Sequence, residues 1–546
     1  MNVVWGIRWD RDDDRRHRLL LVGILLAALA AVALILISRG PAQVAMHAVI
    51  VRAEPNGLVA AQRAVERNGG TIGQSLPVVN GFVAQVPAGS ERALDATAGV
   101  AAVVGDGRMS GWADSGQGKQ DGAAAATPGT SLDDVREAIG ATQSGATGAG
   151  VDVAVIDTGM VPVPALAAQG KVVQGPDFSN QGRDSRLAHL DTFGHCSHVA
   201  GIIAGDDGAS GFRGVAPGAR LVNVKAAGAD GSTTLASIVA SVGWVIAHRN
   251  DRGLHVRVLN LSFGTPPSRY QSDLLAYALE QAWKAGIVVV TSAGNDGEKR
   301  RGLSSPGYDP FVFAVGAADL AGTAAVGDDL VPAWSSRGAG RNPDLVAPGR
   351  SIASVRVPNS ALDLAHPEAR VGPDRFKGSG TSQAAAVVSG AVALLLEQRP
   401  DLSPDQVKAI VNSTADPLSG PGPDAQGAGR LNVTRALAAP SPDPAAVRQL
   451  FAPAVIQGVI ARLVASLSGS RHAAVGPVGP DGAKWGAAKW SGAKWTGSSW
   501  GGSSWGGSSW GGSSWGGSSW GGSSWGGSSW GGSSWGGSSW SSSGDG

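Results

Sequence analysis

The chain has 546 residues, too many for one small folding unit. Its net charge is +1 and only 16% of residues are charged, which excludes the basic footprint of a nucleic-acid binder. A single cysteine, Cys196, excludes an internal disulfide.

The first 18 residues end on "RRHR". Residues 19–38, "LLLVGILLAALAAVALILIS", carry no charge. At about 1.5 Å per helical residue, such a run is long enough to span a bilayer. Its length and the poor cleavage site after it read as an uncleaved signal anchor, with a cleaved signal and a secreted product as the alternative. The basic cluster precedes the run, so the positive-inside rule puts the N-terminus in the cytoplasm and the remainder outside. The expected location is the cell membrane, single-pass.

Residues 47–105 read as a small α+β unit. "HAVIVRA", "NGFVAQVP" and "VAAVVGD" are strand-like; "GLVAAQRAVERNGG" and "SERALDATAG" are helical. The unit has no histidine beyond His47 and no clustered carboxylates. It suits folding, binding or inhibition better than catalysis. Residues 106–130 form a polar, glycine- and alanine-rich linker, where proteolysis concentrates.

From 131 to 437 the pattern changes. Apolar, β-branched runs ("VDVAVID", "ARLVNVKA", "VRVLNLS", "GIVVVTS", "FVFAVGA") alternate with helical segments such as "LASIVASVGWVIAHRN" and "QSDLLAYALEQAWKAG". Strands buried on both faces and separated by helices predict a doubly wound parallel sheet, α/β in class. Ligands bind such sheets beyond the carboxyl ends of the strands. Four polar residues fall at positions of that kind. Asp157 ends an apolar run and precedes a glycine turn. His195 follows Gly194 and opens a small-residue helix. Asn295 lies just past "VVVTS". Ser382 heads the alanine-rich run "QAAAVVSGAVALLLEQ". Alone, Ser382 would read as a helix cap. Together the four supply a nucleophile, a base near neutral pKa, a carboxylate to orient it and an amide for a developing oxyanion.

"VAVIDTG", "GHCSHVAG", "SAGN" and "GTSQAAAVVSG" resemble the four signature segments of the subtilases, the subtilisin-like serine peptidases, in the order Asp, His, Ser. "GVAPGA", "LNLSFG", "DLVAPG" and "GAGRLNV" extend the resemblance over roughly 300 residues. It implies Asp157 as orienting acid, His195 as general base, Ser382 as nucleophile and Asn295 as oxyanion donor. Ser262, Phe263 and Gly264, with Ser292, Ala293 and Gly294, match the segments lining the family's substrate cleft. The unit at 47–105 resembles the family's propeptide, a ferredoxin-like chaperone and inhibitor, which makes the linker a site of self-cleavage. The implied activity is a serine endopeptidase made as a zymogen, acting on proteins or peptides through an acyl-enzyme and needing no cofactor for its chemistry. Structural calcium is common in the family, but no carboxylate-rich loop here stands out to hold it.

The chain departs from the family pattern at Cys196 and Ser197 beside the base, and at Gln383, Ala386 and Val387 after the nucleophile. A cysteine nucleophile and a metal site on His195 and His198 are the competing readings of "HCSH". The intact serine segment argues against the first, and the lack of further ligands at suitable spacing against the second.

Residues 444–467 repeat apolar positions every three or four residues, from Val447 to Leu463, and predict an amphipathic helix. It would pack on the catalytic domain or dock on a membrane or partner. Residues 476–546 are dominated by "GGSSW" repeats, a Gly/Ser/Trp composition that predicts disorder with spaced aromatic stickers. Cell-wall glycan binding, self-association and a bare spacer are the three readings of such a tail. The competing function is therefore an inactive, subtilase-like surface protein that binds through this tail.

Overall fold

The computed structural model describes residues 20–28, 45–110, 129–265, 273–298 and 302–448. Of the apolar run at 19–38, only 20–28 is described, as helix with exposed side chains. Among the described residues, no helix is long and apolar enough to cross a membrane. The N-terminus, most of the linker, the amphipathic segment beyond 448 and the tryptophan tail lie outside the described residues.

Residues 46–105 follow the order β1 (Met46–Ala53), α1 (Leu58–Arg67), β2 (Thr71–Leu76), β3 (Gly81–Pro87), α2 (Glu91–Asp95), β4 (Val100–Gly105). The four strands form a sheet in the order β2-β3-β1-β4, with antiparallel pairs throughout. Val49, Val51, Phe82 and Val86 alternate inward and meet Ala61, Ala64 and Val65 of α1 in a small core. β2 is missing from the sequence reading. Its "TIGQSL" is an edge strand exposed along nearly its whole length, so it carries no apolar alternation.

β5 (Arg108–Met109) follows, and after the linker come α3 (Leu132–Ala138), β6 (Asp152–Asp157) and β7 (Val172–Asp177). α4 (His195–Ala204) precedes the hairpin β8–β9 (Asp206–Asp207, Phe212–Arg213), then β10 (Arg220–Lys225), β11 (Thr233–Thr234), α5 (Leu235–His248) and β12 (Val256–Leu261). α6 (Leu274–Lys284), β13 (Val288–Ser292), β14 (Phe313–Ala318) and β15 (Leu345–Pro348) complete the central layer. β16 (Ile352–Val355), α7 (Ala361–Ala365), β17 (Arg370–Val371) and β18 (Arg375–Gly378) lead into α8 (Thr381–Gln398).

The central sheet has seven strands in the order β15-β14-β13-β12-β6-β10-β7. Every neighbouring pair is parallel, the doubly wound α/β class that the apolar runs predict. The order reverses beside β6, so the carboxyl end of β6 opens on the crevice where such sheets bind ligands. α8 is buried along nearly all its length, packed against α4 and under β12 to β15. Gly390 allows α8 to approach the start of the β9–β10 connection and α4 closely: a Cβ there would lie 2.6 Å from Val215 Cβ and 3.1 Å from the Ile203 carbonyl oxygen.

The first unit docks on the second. The turn Pro77–Val79 packs on α5 and α6, and Ile50, Leu76 and Val79 join the main core. The Arg52 guanidinium stacks 4.0 Å above the Tyr277 ring centre. The Asp106 carboxylate accepts the Ala236 N–H at the start of α5 (2.8 Å). β5 then pairs antiparallel with β11, Met109 opposite Thr233 and Arg108 opposite Thr234, and Arg108 forms an ion pair with Asp230.

Candidate active site

Asp157 is the last residue of β6 and is fully buried. His195 is the first residue of α4. Its Nδ1 lies 2.9 Å from both carboxylate oxygens of Asp157. The carboxylate therefore fixes the tautomer with the proton on Nδ1, leaving Nε2 as the basic nitrogen. Burial works against charge on His195, but the charge and hydrogen bond of Asp157, with help from the charge of Asp191, hold its pKa above the ordinary value. His198, one turn on, behaves oppositely: burial and the nearby His195 push it down to about 3.

Ser382 is the second residue of α8, where helix N–H groups favour negative charge. Its hydroxyl donates to the Ser262 carbonyl at 3.3 Å, and the Ser262 hydroxyl returns a bond to the Ser382 carbonyl at the same distance. The serine thus rests against the "LSFG" wall, and no hydrogen bond joins it to His195 among those described. α4 and α8 are nonetheless packed face to face. A Cβ on Gly378 would lie 2.7 Å from Gln383 Nε2 and 2.8 Å from His198 Nε2. The residue after the serine and the histidine one turn past His195 thus meet over one glycine.

Asn295 sits just past β13, half-buried. Its Oδ1 accepts both the backbone N–H and the hydroxyl of Thr381, each at 2.9 Å. With the oxygen committed on that side, the Nδ2 donors are turned the other way. Thr381 Oγ1 also accepts the Gly294 N–H (3.2 Å), so one buried hydroxyl ties the asparagine loop to the residue before Ser382.

The expected wall residues divide. Ser262 and Ser292 are nearly buried, and Gly294 takes φ 111°, a conformation that favours glycine. The Phe263 ring lies wholly in the main core, and Ala293 packs with Leu303 and Ala314. These two offer a ligand their backbone only. Ser304 is absent from the sequence reading. Its N–H donates to the Ala293 carbonyl (2.9 Å), and its side chain lies where a Cβ on Gly264 or Gly294 would meet it. It closes the space between the two walls. The β11 edge is the second omission: a two-residue strand gives no periodic signal.

Cys196 is fully buried, and burial together with Asp157 and Asp191 pushes its thiol well up. It is a neutral thiol, unlike the exposed, low-pKa cysteines that attack substrates. No group of three or more His, Cys, Asp or Glu is gathered to hold a metal ion among the described residues.

Residues 148–432 match the Subtilase family. The serine protease AprX of Bacillus subtilis is 40% identical over 296 residues, which are 52% of this chain and 66% of AprX. Subtilisin DY of Bacillus licheniformis is 34% identical over 280 residues, 50% of this chain and 86% of that protein. Fervidolysin from Fervidobacterium pennivorans, described as a keratinolytic enzyme related to subtilisin, shares the fold. Its TM-score is 0.56 at 24% identity, over 74% of this chain and 62% of that one. A parallel seven-stranded sheet, an aspartate and histidine bonded at its carboxyl edge, and these relatives lead to one conclusion: the chain belongs to the subtilase family, and residues 148–432 are its subtilisin-like serine endopeptidase domain.

Proposed function

We propose that the chain hydrolyses peptide bonds by a Ser382–His195–Asp157 triad through an acyl-enzyme, and that it processes itself from a precursor. The observation that carries this reading is the buried Asp157 carboxylate holding His195 Nδ1 at 2.9 Å. The Ser382 hydroxyl leaves the Ser262 carbonyl, gives its proton to His195 Nε2 and attacks the scissile carbonyl carbon. The oxyanion takes N–H groups from Asn295 Nδ2 and the Ser382 backbone. His195 passes the proton to the leaving amine, and water then releases the acyl group by the same steps in reverse. No cofactor enters this chemistry.

Extended substrate would pair with the β11 edge as an added antiparallel strand, the mode β5 adopts there. In the precursor β5 fills that edge, which supports the reading of the 47–105 unit as propeptide and inhibitor and of the linker after it as the site of self-cleavage. Export follows from the apolar N-terminal run; membrane retention through that run, and glycan binding by the tryptophan tail, belong to the same proposal.

Ser382→Ala tests it. The variant is expected to leave a denatured protein substrate intact and to remain a full-length precursor. A purified Ser382→Ala protein that still yields a product starting near residues 110–135 would sink self-processing, and one that still cleaves the substrate would sink the triad.

A further inference from the structure

Between β16 and the nucleophile helix the chain makes an excursion, residues 356–375, for which the proposed chemistry has no use. It packs on the turn that delivers His195. The Ala361 N–H donates to the Thr192 carbonyl (3.1 Å) and the Leu362 N–H to the Phe193 carbonyl (3.0 Å). The donors of the same turn bond elsewhere. Phe193 N (3.2 Å) and Gly194 N (2.6 Å) reach Asp191 Oδ1, and Ser197 N reaches Asp191 Oδ2 (2.8 Å). The turn's carbonyls are thus bound by the excursion and its N–H groups by a buried carboxylate.

Gly194 is the N-cap of α4 and has no side chain to set the direction of the helix. It takes φ 104°, and a Cβ on it would lie 2.5 Å from Ser360 Oγ. The excursion therefore presses on the residue immediately before His195.

One carboxylate holds the excursion at both of its ends. Asp363, nearly buried, accepts Arg356 Nε (2.6 Å) and Nη2 (3.0 Å), Arg370 Nε (2.8 Å) and Nη2 (3.2 Å), and the Asn359 N–H (3.0 Å). The hydrogen bonds from Arg356 and then Arg370 outweigh burial and keep its pKa well below the usual carboxylate range. The staple is charged at neutral pH.

We propose that residues 356–375 are a positioning element for the general base, clamping the Thr192–Gly194 turn so that the His195 ring stays aligned with Asp157 and Ser382. The inference rests on His195 acting as the base. The excursion acts through the turn and needs no contact with the reacting atoms. Its importance follows from scale: a misplacement of about 1 Å costs on the order of 10²-fold in rate.

Ala361→Pro is the sharp test. Ala361 is the first residue of α7, where proline is tolerated. Ser360 before it is extended, as a residue preceding proline must be. The change removes one N–H donor and places a ring carbon against the Thr192 carbonyl. Asp363→Asn removes the staple independently. Both are made in the full-length protein, and kcat is counted per active molecule by burst titration. In a Ser382→Ala background, which stops self-digestion, the low-field resonance of the His195 Nδ1 proton reports the His195–Asp157 bond directly.

Each variant is expected to lose roughly 10- to 100-fold in kcat, with KM within about twofold. The low-field resonance should shift or broaden. A loss confined to KM, wild-type kcat per active molecule in both variants, or an unshifted resonance overturns the clamp. His195→Ala separates the two layers of the argument. If it is inactive while both clamp variants are normal, only the clamp is wrong; if it remains active, the reading of His195 as base fails first.

Discussion

The geometry around Asn295 gives a quantitative test of its proposed oxyanion role. Asn295 Oδ1 has two donors, the backbone N–H and the hydroxyl of Thr381. Thr381→Val keeps the side-chain shape and deletes only the hydroxyl. One neutral bond to the amide is lost, worth about 0.5–1.5 kcal/mol net. If all of that appears in the transition state, kcat falls roughly 2- to 13-fold. Asn295→Ala removes the donor itself and should cost about 10²- to 10³-fold, the scale the same substitution shows in subtilisin. Both effects belong in kcat, because the oxyanion forms only on attack. A double-mutant cycle with a chromogenic peptide decides the matter. In the Asn295→Ala background, Thr381→Val should cost almost nothing further in kcat, since there is no amide left to orient. Equal losses in both backgrounds, or a rise in KM alone, would refute the idea that Thr381 acts by aiming Asn295. The variant also strands the buried Gly294 N–H, so thermal inactivation should quicken by an amount consistent with about 1–3 kcal/mol.

Three further outcomes follow. Mild peroxide should leave activity nearly intact, because Gln383 has no thioether beside Ser382 and Cys196 is buried and neutral; Gln383→Met should make the enzyme sensitive. Rapid loss in the wild type that Cys196→Ala prevents would contradict the inert thiol. His195 is held above its ordinary pKa by Asp157 and Asp191, with His198 and Lys225 the nearby nitrogen groups, so kcat/KM should rise with pH through a value above about 6.5, and Asp191→Asn should move that limb to lower pH. The linked stability has the matching sign: the charged imidazole favours the fold below about 6.5, and that contribution is lost as pH rises through the folded value. An unmoved limb in kcat/KM would remove Asp191 from the account. Finally, Val79→Ala deletes about 1.6 kcal/mol of apolar burial where the first unit meets α5 and α6, so under the proposed self-processing the first unit, acting as inhibitor, should be released at roughly 15-fold lower dilution; unchanged release would place the holding contacts elsewhere.

The central strands were legible because burial on both faces leaves mostly apolar residues, with buried polar exceptions such as Asn223, Lys225 and Asn260. β6, β10, β12, β13 and β14 are such runs, and all are buried almost throughout. The edges were not. β7 reads "VVQGPD", half-exposed, and β15 is four residues ending in proline. The site followed the same division. Asp157, His195, Asn295 and Ser382 stand at strand ends and helix starts, where a polar residue interrupts an apolar pattern. Ser304, the β11 edge and the 356–375 excursion are placed by backbone bonds to distant segments, which no local pattern records. Phe263 shows the converse: its position in a wall segment was readable, but not that its ring turns inward to the core.

Ile50, Leu76 and Val79 of the first unit belong to the same apolar cluster as the catalytic sheet. Two consequences concern calorimetry and handling. With that cluster intact, the precursor should melt as one cooperative block, and its heat-capacity increment should exceed the sum for the separated pieces, since the joint surface adds hydration on unfolding. After separation, α5 and α6 present to water the apolar face that the Pro77–Val79 turn covered, a patch of the kind that recruits other apolar surfaces. Under the proposed self-processing, the freed peptidase domain should therefore bind a hydrophobic dye and sediment as associated species more readily than the intact chain at equal concentration.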